Sequence, residues 1–201
     1  MTPLTAAAPL KPAFADPVFD SQATFRRLMA ALAHAGRRET LDRLRDAPAP
    51  LFPATAALCL TLTDFETPLW LDAAAGSDAV RDYLKFHCGA PLVETAAAAR
   101  FAVIADPASM PRFSAFDAGS EDYPDRSATL IIQVPSLTEG PERIWTGPGI
   151  RGSATSRIAG LPDWFWDDWR LERELYPRGL DVFFVADDAV IGLPRSINVE
   201  G

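Results

Sequence analysis

Prolines divide this chain more finely than any other residue type. Eighteen of its 201 residues are proline, against a usual share of about 5%. A proline ring clashes with the preceding helical turn and gives no donor to a sheet. So many of them predict short elements with abrupt ends and argue against long helices and coiled coils. Together with 12 glycines they stay below the roughly 25–30% that marks low complexity. An apolar share of 48% and a charged share of 23% fit a globular domain able to bury a core without disulfides or metal. The length favours one domain. Residues 1–17, broken by Pro3, Pro9, Pro12 and Pro17, read as a flexible N-terminal arm, and 18–201 as a single α/β domain.

Charge narrows the partners. The formal net charge is −8 and the sequence pI about 4.7, which disfavours nucleic acid and anionic membranes. The distribution is uneven. Between Ser21 and Arg45 six arginines (26, 27, 37, 38, 43 and 45) face only Glu39 and Asp42, a local balance of +4 on a body carrying −12. This is either a local anion-attracting surface or a solvated helix face. Cys59 and Cys88 form no CxxC pair, and with His34 and His87 they match no zinc spacing. A reduced, cytoplasmic protein follows. The start of the chain has no basic residue before Lys11 and does not read as a secretory signal. The apolar stretch Ala47–Thr63 holds three prolines in 17 residues and is too short to span a bilayer.

Four helices and a set of strands are predicted. The first helix runs from about Asp20 to His34, with Phe25, Leu28, Met29 and Leu32 on one apolar face and Gly36 after its end. Pro53 opens a second, to about Thr63. A third follows Gly76-Ser77-Asp78 and stops at Gly89, with Val80, Leu84 and His87 on one side. The fourth spans about Pro162 to Leu175. Its Trp164, Phe165, Trp166 and Trp169 exceed one buried face, so some are expected to meet a partner subunit. Strands are expected at 68–72, 101–105, 128–134 and 143–146, and a terminal hairpin at 180–186 and 190–193 around Asp187-Asp188. Residues 106–127 read as a long surface connection. The sum is an α/β fold, a mixed sheet flanked by helices.

Sites of chemistry are scarce. GxxxxGK[ST], GxSxG and HExxH are all absent. Gly147-Pro148-Gly149-Ile150-Arg151-Gly152 only approximates a dinucleotide loop, and Pro148 lacks the N–H that a pyrophosphate would want. Asp167-Asp168 fits a helix face and Asp187-Asp188 a hairpin tip. Neither Lys11 nor Lys85 stands where a Schiff-base lysine would, which argues against pyridoxal phosphate chemistry. His34 and His87 sit near helix C-termini, where a histidine satisfies terminal carbonyls. No catalytic residue, cofactor or metal is assigned. The candidate ligand-binding residues are Arg26, Arg27 and His87, which could hold an anion by charge-assisted bonds.

Several stretches, in order, carry a family resemblance. They are Phe25-Arg26-Arg27-Leu28-Met29, Thr67-Pro68-Leu69-Trp70-Leu71 and Phe86-His87-Cys88-Gly89-Ala90-Pro91-Leu92-Val93. Next come Ala128-Thr129-Leu130-Ile131-Ile132-Gln133-Val134 and Thr146-Gly147-Pro148-Gly149-Ile150. The last are Pro177-Arg178-Gly179-Leu180-Asp181 and Leu193-Pro194-Arg195. From about Phe14 onward the chain resembles the PhnH family, the H subunit of the bacterial carbon–phosphorus lyase core complex. One departure is Ala35, where the family often has proline. The resemblance implies a fold like that of pyridoxal phosphate-dependent transferases without the cofactor. Together with the absent catalytic set and the aromatic surplus, the resemblance leads to the reading of an accessory, scaffolding subunit without independent activity. The assembly it would serve joins a phosphonate to the ribose of ATP with loss of adenine, forming a ribose 1-phosphonate triphosphate. Expected partners are a second copy, in a homodimer, and the nucleosidase and radical lyase subunits. The alternative is a ligand-binding or catalytic subunit that holds a phosphonate or nucleotide through Arg26, Arg27 and His87.

Overall fold

A computed structural model describes residues 10–201. Of the expected arm, residues 1–9 lie outside the described residues. From Phe14, which is buried in the core, the chain enters helix α1 (Pro17–Ala33). This helix begins earlier than the apolar spacing suggests. Pro17 sits in its first turn, and the Asp16 carboxylate accepts the Phe19 N–H at 3.2 Å. Asp20 reciprocates by accepting the Asp16 N–H at 2.9 Å.

Strand β1 (Arg38–Thr40), helix α2 (Pro53–Leu62), strand β2 (Leu69–Leu71), helix α3 (Asp78–His87) and strand β3 (Phe101–Ile104) follow. Then come β4 (Thr129–Gln133), β5 (Glu142–Thr146), β6 (Ala154–Arg157), α4 (Phe165–Arg173), β7 (Asp181–Ala186), β8 (Ala189–Leu193) and β9 (Asn198–Glu200). Six strands form a mixed sheet in the order β1-β8-β7-β4-β3-β2. β2, β3, β4 and β7 run parallel, while β8 is antiparallel to both β7 and β1. A second, antiparallel sheet has the order β6-β5-β9. The short polar strands β1, β6 and β9 carry no apolar alternation, and only pairing with longer neighbours reveals them.

The large sheet is buried on both sides. Val103, Ile131, Phe183, Val185 and Val190 face α1, α2 and α3. Ala102, Ile104, Leu130, Ile132, Val182 and Phe184 face the other way, toward α4 and the small sheet. Side chains alternate along a strand, so a run such as Leu130-Ile131-Ile132 feeds two cores in turn. That explains its near-continuous apolar character.

Three expectations change. First, α1 buries Thr24, Leu28 and Ala31, whereas Phe25 and Met29 lie on its exposed side. The cause is contact distance. A Cβ on Gly192 of β8 would lie 2.7 Å from the Ala31 carbonyl oxygen, so around Ala31 the helix backbone sits against the strand and only small side chains fit there. Second, residues 106–127 are not a surface connection. One-turn 3₁₀ helices at Pro107–Ser109, Phe113–Ala115 and Pro124–Arg126 turn Met110, Phe113 and Phe116 into the second core. Third, the aromatic surplus of α4 is absorbed within the chain. Phe165 and Trp169 are buried, and Trp164 and Trp166 pack half-buried against the same core. Phe113 meets Phe165 edge to face with centroids 5.0 Å apart, and the Arg112 guanidinium lies 4.7 Å over Trp164.

Two polar clamps fix the C-terminal ends of the parallel strands. Asp72, after β2, accepts N–H bonds from Ala75 at 2.7 Å and from Ala105 and Asp106 at 2.8 Å each. At the end of β4, Gln133 accepts from the Phe52 N–H at 2.7 Å and donates to the Pro50 carbonyl at 3.1 Å. Asp72 is buried, so its loss strands three donors. Asp72→Ala is expected to lower unfolding free energy by about 2–5 kcal/mol, read as a lower urea midpoint with unchanged slope.

Candidate functional site

The outer side of α1 is the most apolar exposed surface of any helix in the fold. Val18, Phe25 and Met29, 74%, 45% and 37% exposed, recur at helical spacing along it. Phe19, at 69%, adjoins them. The same close packing on Gly192 that turns the small residues inward turns these large ones outward. Large apolar side chains left exposed along one side of a helix are the kind of surface that marks interaction sites.

Beside it lie the arginines. Glu39, in the middle of β1, is almost wholly buried, and it pairs with Arg27 Nη1 at 2.9 Å and Arg37 Nε at 3.1 Å. Arg43 stands 3.9 Å from Asp20 and 3.8 Å from Asp42. Arg26, Arg38 and Arg45 have no acidic partner among the described residues. Three of the six arginines of the basic window thus stand without an ion-pair partner, while Arg27, Arg37 and Arg43 have one. Arg26 and Arg27 border one cleft of about 240 Å³, between α1 and residues 40–43.

His87 is not part of that cleft. It lies on α3, with its Nε2 3.0 Å from the Lys11 carbonyl oxygen and its ring 4.5 Å from that of Tyr83. The Tyr83 hydroxyl donates to the Pro12 carbonyl at 3.4 Å. His87 therefore grips the incoming chain rather than capping its own helix. The α3 terminus is closed instead by the Cys88 and Gly89 N–H groups, both bonded to the Leu84 carbonyl, with Gly89 at φ 68°. Of the three candidates, the structure brings Arg26 and Arg27 together and leaves His87 elsewhere. Arg43, Thr24 and Thr40 line the cleft as well. Arg43 was visible in the basic window, but Thr24 had no sequence signal beyond its helical spacing.

The glycine motif serves packing. Gly149, at φ 82°, presses so closely on the Ala33 carbonyl that a Cβ there has no room. Two further motifs meet each other: Arg195 Nε bonds both Asp181 oxygens, at 3.3 and 3.2 Å, and Arg195 Nη1 donates to the Pro124 carbonyl at 2.6 Å. Nearby on α4, Glu172 is buried with Oε1 unpartnered. Burial pushes its carboxyl above the ordinary 4.5, Asp168 adds to the rise, and Arg178 and Arg195 oppose it. Burial also drives the Cys59 thiol far above its usual range, which keeps it in the unreactive form.

The family described as bacterial phosphonate metabolism protein (PhnH) matches residues 12–200. The chain is 41% identical over 188 residues to the alpha-D-ribose 1-methylphosphonate 5-triphosphate synthase subunit PhnH of Rhizobium meliloti (strain 1021), a match covering 94% of each chain. It is 32% identical over 85 residues to a putative C-P lyase subunit, HtxG, of Stutzerimonas stutzeri, covering 41% of this chain and 44% of that one.

The buried Glu172 carboxyl gives a pH signature. Its folded-state pKa is raised, so the native state binds the proton more tightly than the unfolded chain. Its contribution is intact below about pH 4.5 and is lost as pH rises through the raised value. Glu172→Gln is expected to melt at higher temperature than the parent at pH 7, with the difference vanishing toward pH 4. Thermal melts at several pH values check this.

Proposed function

The chain belongs to the PhnH family of bacterial phosphonate metabolism proteins, and on that premise we propose that it is a non-catalytic docking subunit of a carbon–phosphorus lyase assembly. Within phosphonate catabolism it supports formation of a ribose 1-phosphonate triphosphate from ATP and a phosphonate, and the bond-making and bond-breaking chemistry lies in other subunits. The observation that carries this reading is the outward face of α1. Val18, Phe25 and Met29 are large, exposed and aligned, and such a face gains most when a partner covers it. The relatives support it, since both are named as subunits.

Several finer statements belong to the same proposal. Residues 18–201 act as one domain. The protein forms a homodimer and joins the nucleosidase and radical lyase subunits in the cytoplasm. In keeping with that location, no helix among the described residues is long and apolar enough to cross a membrane. A kinship with pyridoxal phosphate-dependent transferases, without the cofactor, is part of the same reading. Arg26, Arg27 and His87 are the residues proposed for ligand contact in this family context. The geometry favours the arginine pair, because His87 is already engaged with Lys11.

Co-purification from the source cell tests the docking role. A tagged parent chain is expected to carry other subunits of the assembly. The triple variant Val18→Glu, Phe25→Gln, Met29→Gln is expected to lose most of them, with its melting temperature little changed because these positions are exposed. Retention of partners by that variant would count against the α1 face. Adenine released by the isolated chain from ATP and methylphosphonate would overturn the non-catalytic reading.

A further inference from the structure

The free edges of the two sheets border one groove. Strand β6 ends the small sheet and β1 ends the large one. The groove between them, of about 420 Å³, is lined by Gly36, Arg38, Leu137, Thr155, Arg157 and Ile191 among others. The remaining outer strands are covered by the chain itself. Residues 91–93 close β2, with the Leu69 N–H bonded to the Pro91 carbonyl and the Val93 N–H to the Leu69 carbonyl. Strand β9 packs against α4. On their outer sides β1 and β6 make no backbone hydrogen bond among the described residues. An open edge of this kind is a template for a further strand.

Register fixes which groups of β6 point into the open. The Glu142 carbonyl oxygen lies 3.0 Å from the place of a Cβ on Gly201, just past β9, so residue 142 of β5 faces β9. Alternation then turns Arg143 and Trp145 toward β6. Their partners Ser156 and Ala154 face back to β5, which leaves the N–H and C=O groups of Thr155 and Arg157 outward. Charge says what kind of strand fits. The lining holds two arginines and no carboxylate, on a chain of net charge −8. Arg38 has no acidic partner among the described residues. Arg157 bonds Glu142 at 2.5 Å but stays half exposed. The buried Leu137 and Ile191 supply an apolar floor.

We propose that the outer edge of β6 receives an extended, acidic segment of a partner subunit as a fourth strand of the small sheet. Main-chain bonds to Thr155 and Arg157 supply affinity in this mode of recognition, and alternate side chains supply specificity. Apolar side chains of the added strand lie on Leu137 and Ile191, and its carboxylates meet Arg38 and Arg157. The acidic character of the rest of the chain repels such a segment elsewhere, so the groove also sets its register. A free anion cannot take this place, because it offers no donor to the outward carbonyls. This inference rests on the docking role proposed above and adds to it a contact surface distinct from the α1 face.

Amide hydrogen exchange tests it, comparing the full chain alone with the same chain carrying the subunits that co-purify from the source cell. Alone, the outward amides of Thr155 and Arg157 exchange freely. In the assembly they are expected to slow about tenfold or more. Rebinding of the co-purified subunits to variants gives a second readout. Thr155→Pro removes the outward N–H at an edge position where proline is tolerated, and it should weaken rebinding about three- to tenfold. Thr155→Ala keeps that N–H and should rebind like the parent. Arg38→Glu should weaken rebinding about tenfold or more. Melting temperatures near that of the parent confirm that each variant folds. The inference is overturned, with the docking role intact, if partners bind while both amides keep their free rates. It is likewise overturned if Thr155→Ala is as damaging as Thr155→Pro, or if Arg38→Glu rebinds like the parent. If no subunit co-purifies with the parent chain, the docking role and this inference fall together.

Discussion

The close seat of α1 on the main sheet organises the molecule. Gly192 presents bare backbone to the helix, and the Ala31 carbonyl rests where any Cβ would collide with it. Only Thr24, Leu28 and Ala31 are accommodated along that line. Helical periodicity then leaves no choice about the remaining positions. Val18, Phe25 and Met29 look outward, Arg26 lies off that line and Arg27 lies on the opposite side of the helix, paired with Glu39. One hydrogen atom in place of a methyl on β8 thus sets which chemistry the protein shows to its surroundings. Gly149 repeats the device two residues further along the same helix, against the Ala33 carbonyl.

The sheet answers the same packing demand on both sides. Three helices cover one face, and α4, the small antiparallel sheet and the 3₁₀ turns of residues 107–126 cover the other. Such a two-sided core draws on nearly every apolar run in the chain. It takes up the tryptophans of α4 as well, so the aromatic-rich helix spends most of its large side chains within the chain while α1 keeps Val18, Phe25 and Met29 exposed.

Much of the fold was legible in the sequence. The buried strands announced themselves through β-branched runs, the terminal hairpin through Asp187-Asp188, and α3 through Ser77 and Gly89. The orientation of α1 was not legible. Phe25, Leu28, Met29 and Leu32 form the better apolar stripe by residue type, and only the nearness of Gly192, more than 150 positions away, reverses the choice. Nor was the folded character of 106–127, since its prolines and acids look like a loop until Met110, Phe113 and Phe116 are seen to share one side. At the site, the arginines were readable as excess charge. His87 looked like a cap by its place at a helix end, and the chain that it meets comes from 76 residues upstream.

That last contact has a consequence for how the arm can change over evolutionary time. Tyr83 and His87 hold the peptide oxygens of Pro12 and Lys11, groups that every amino acid supplies. The side chains at 11 and 12 are free to drift while the path of the arm stays fixed. The two aromatic rings on α3 have no such latitude, so mutation should accumulate on one partner of the clasp and spare the other.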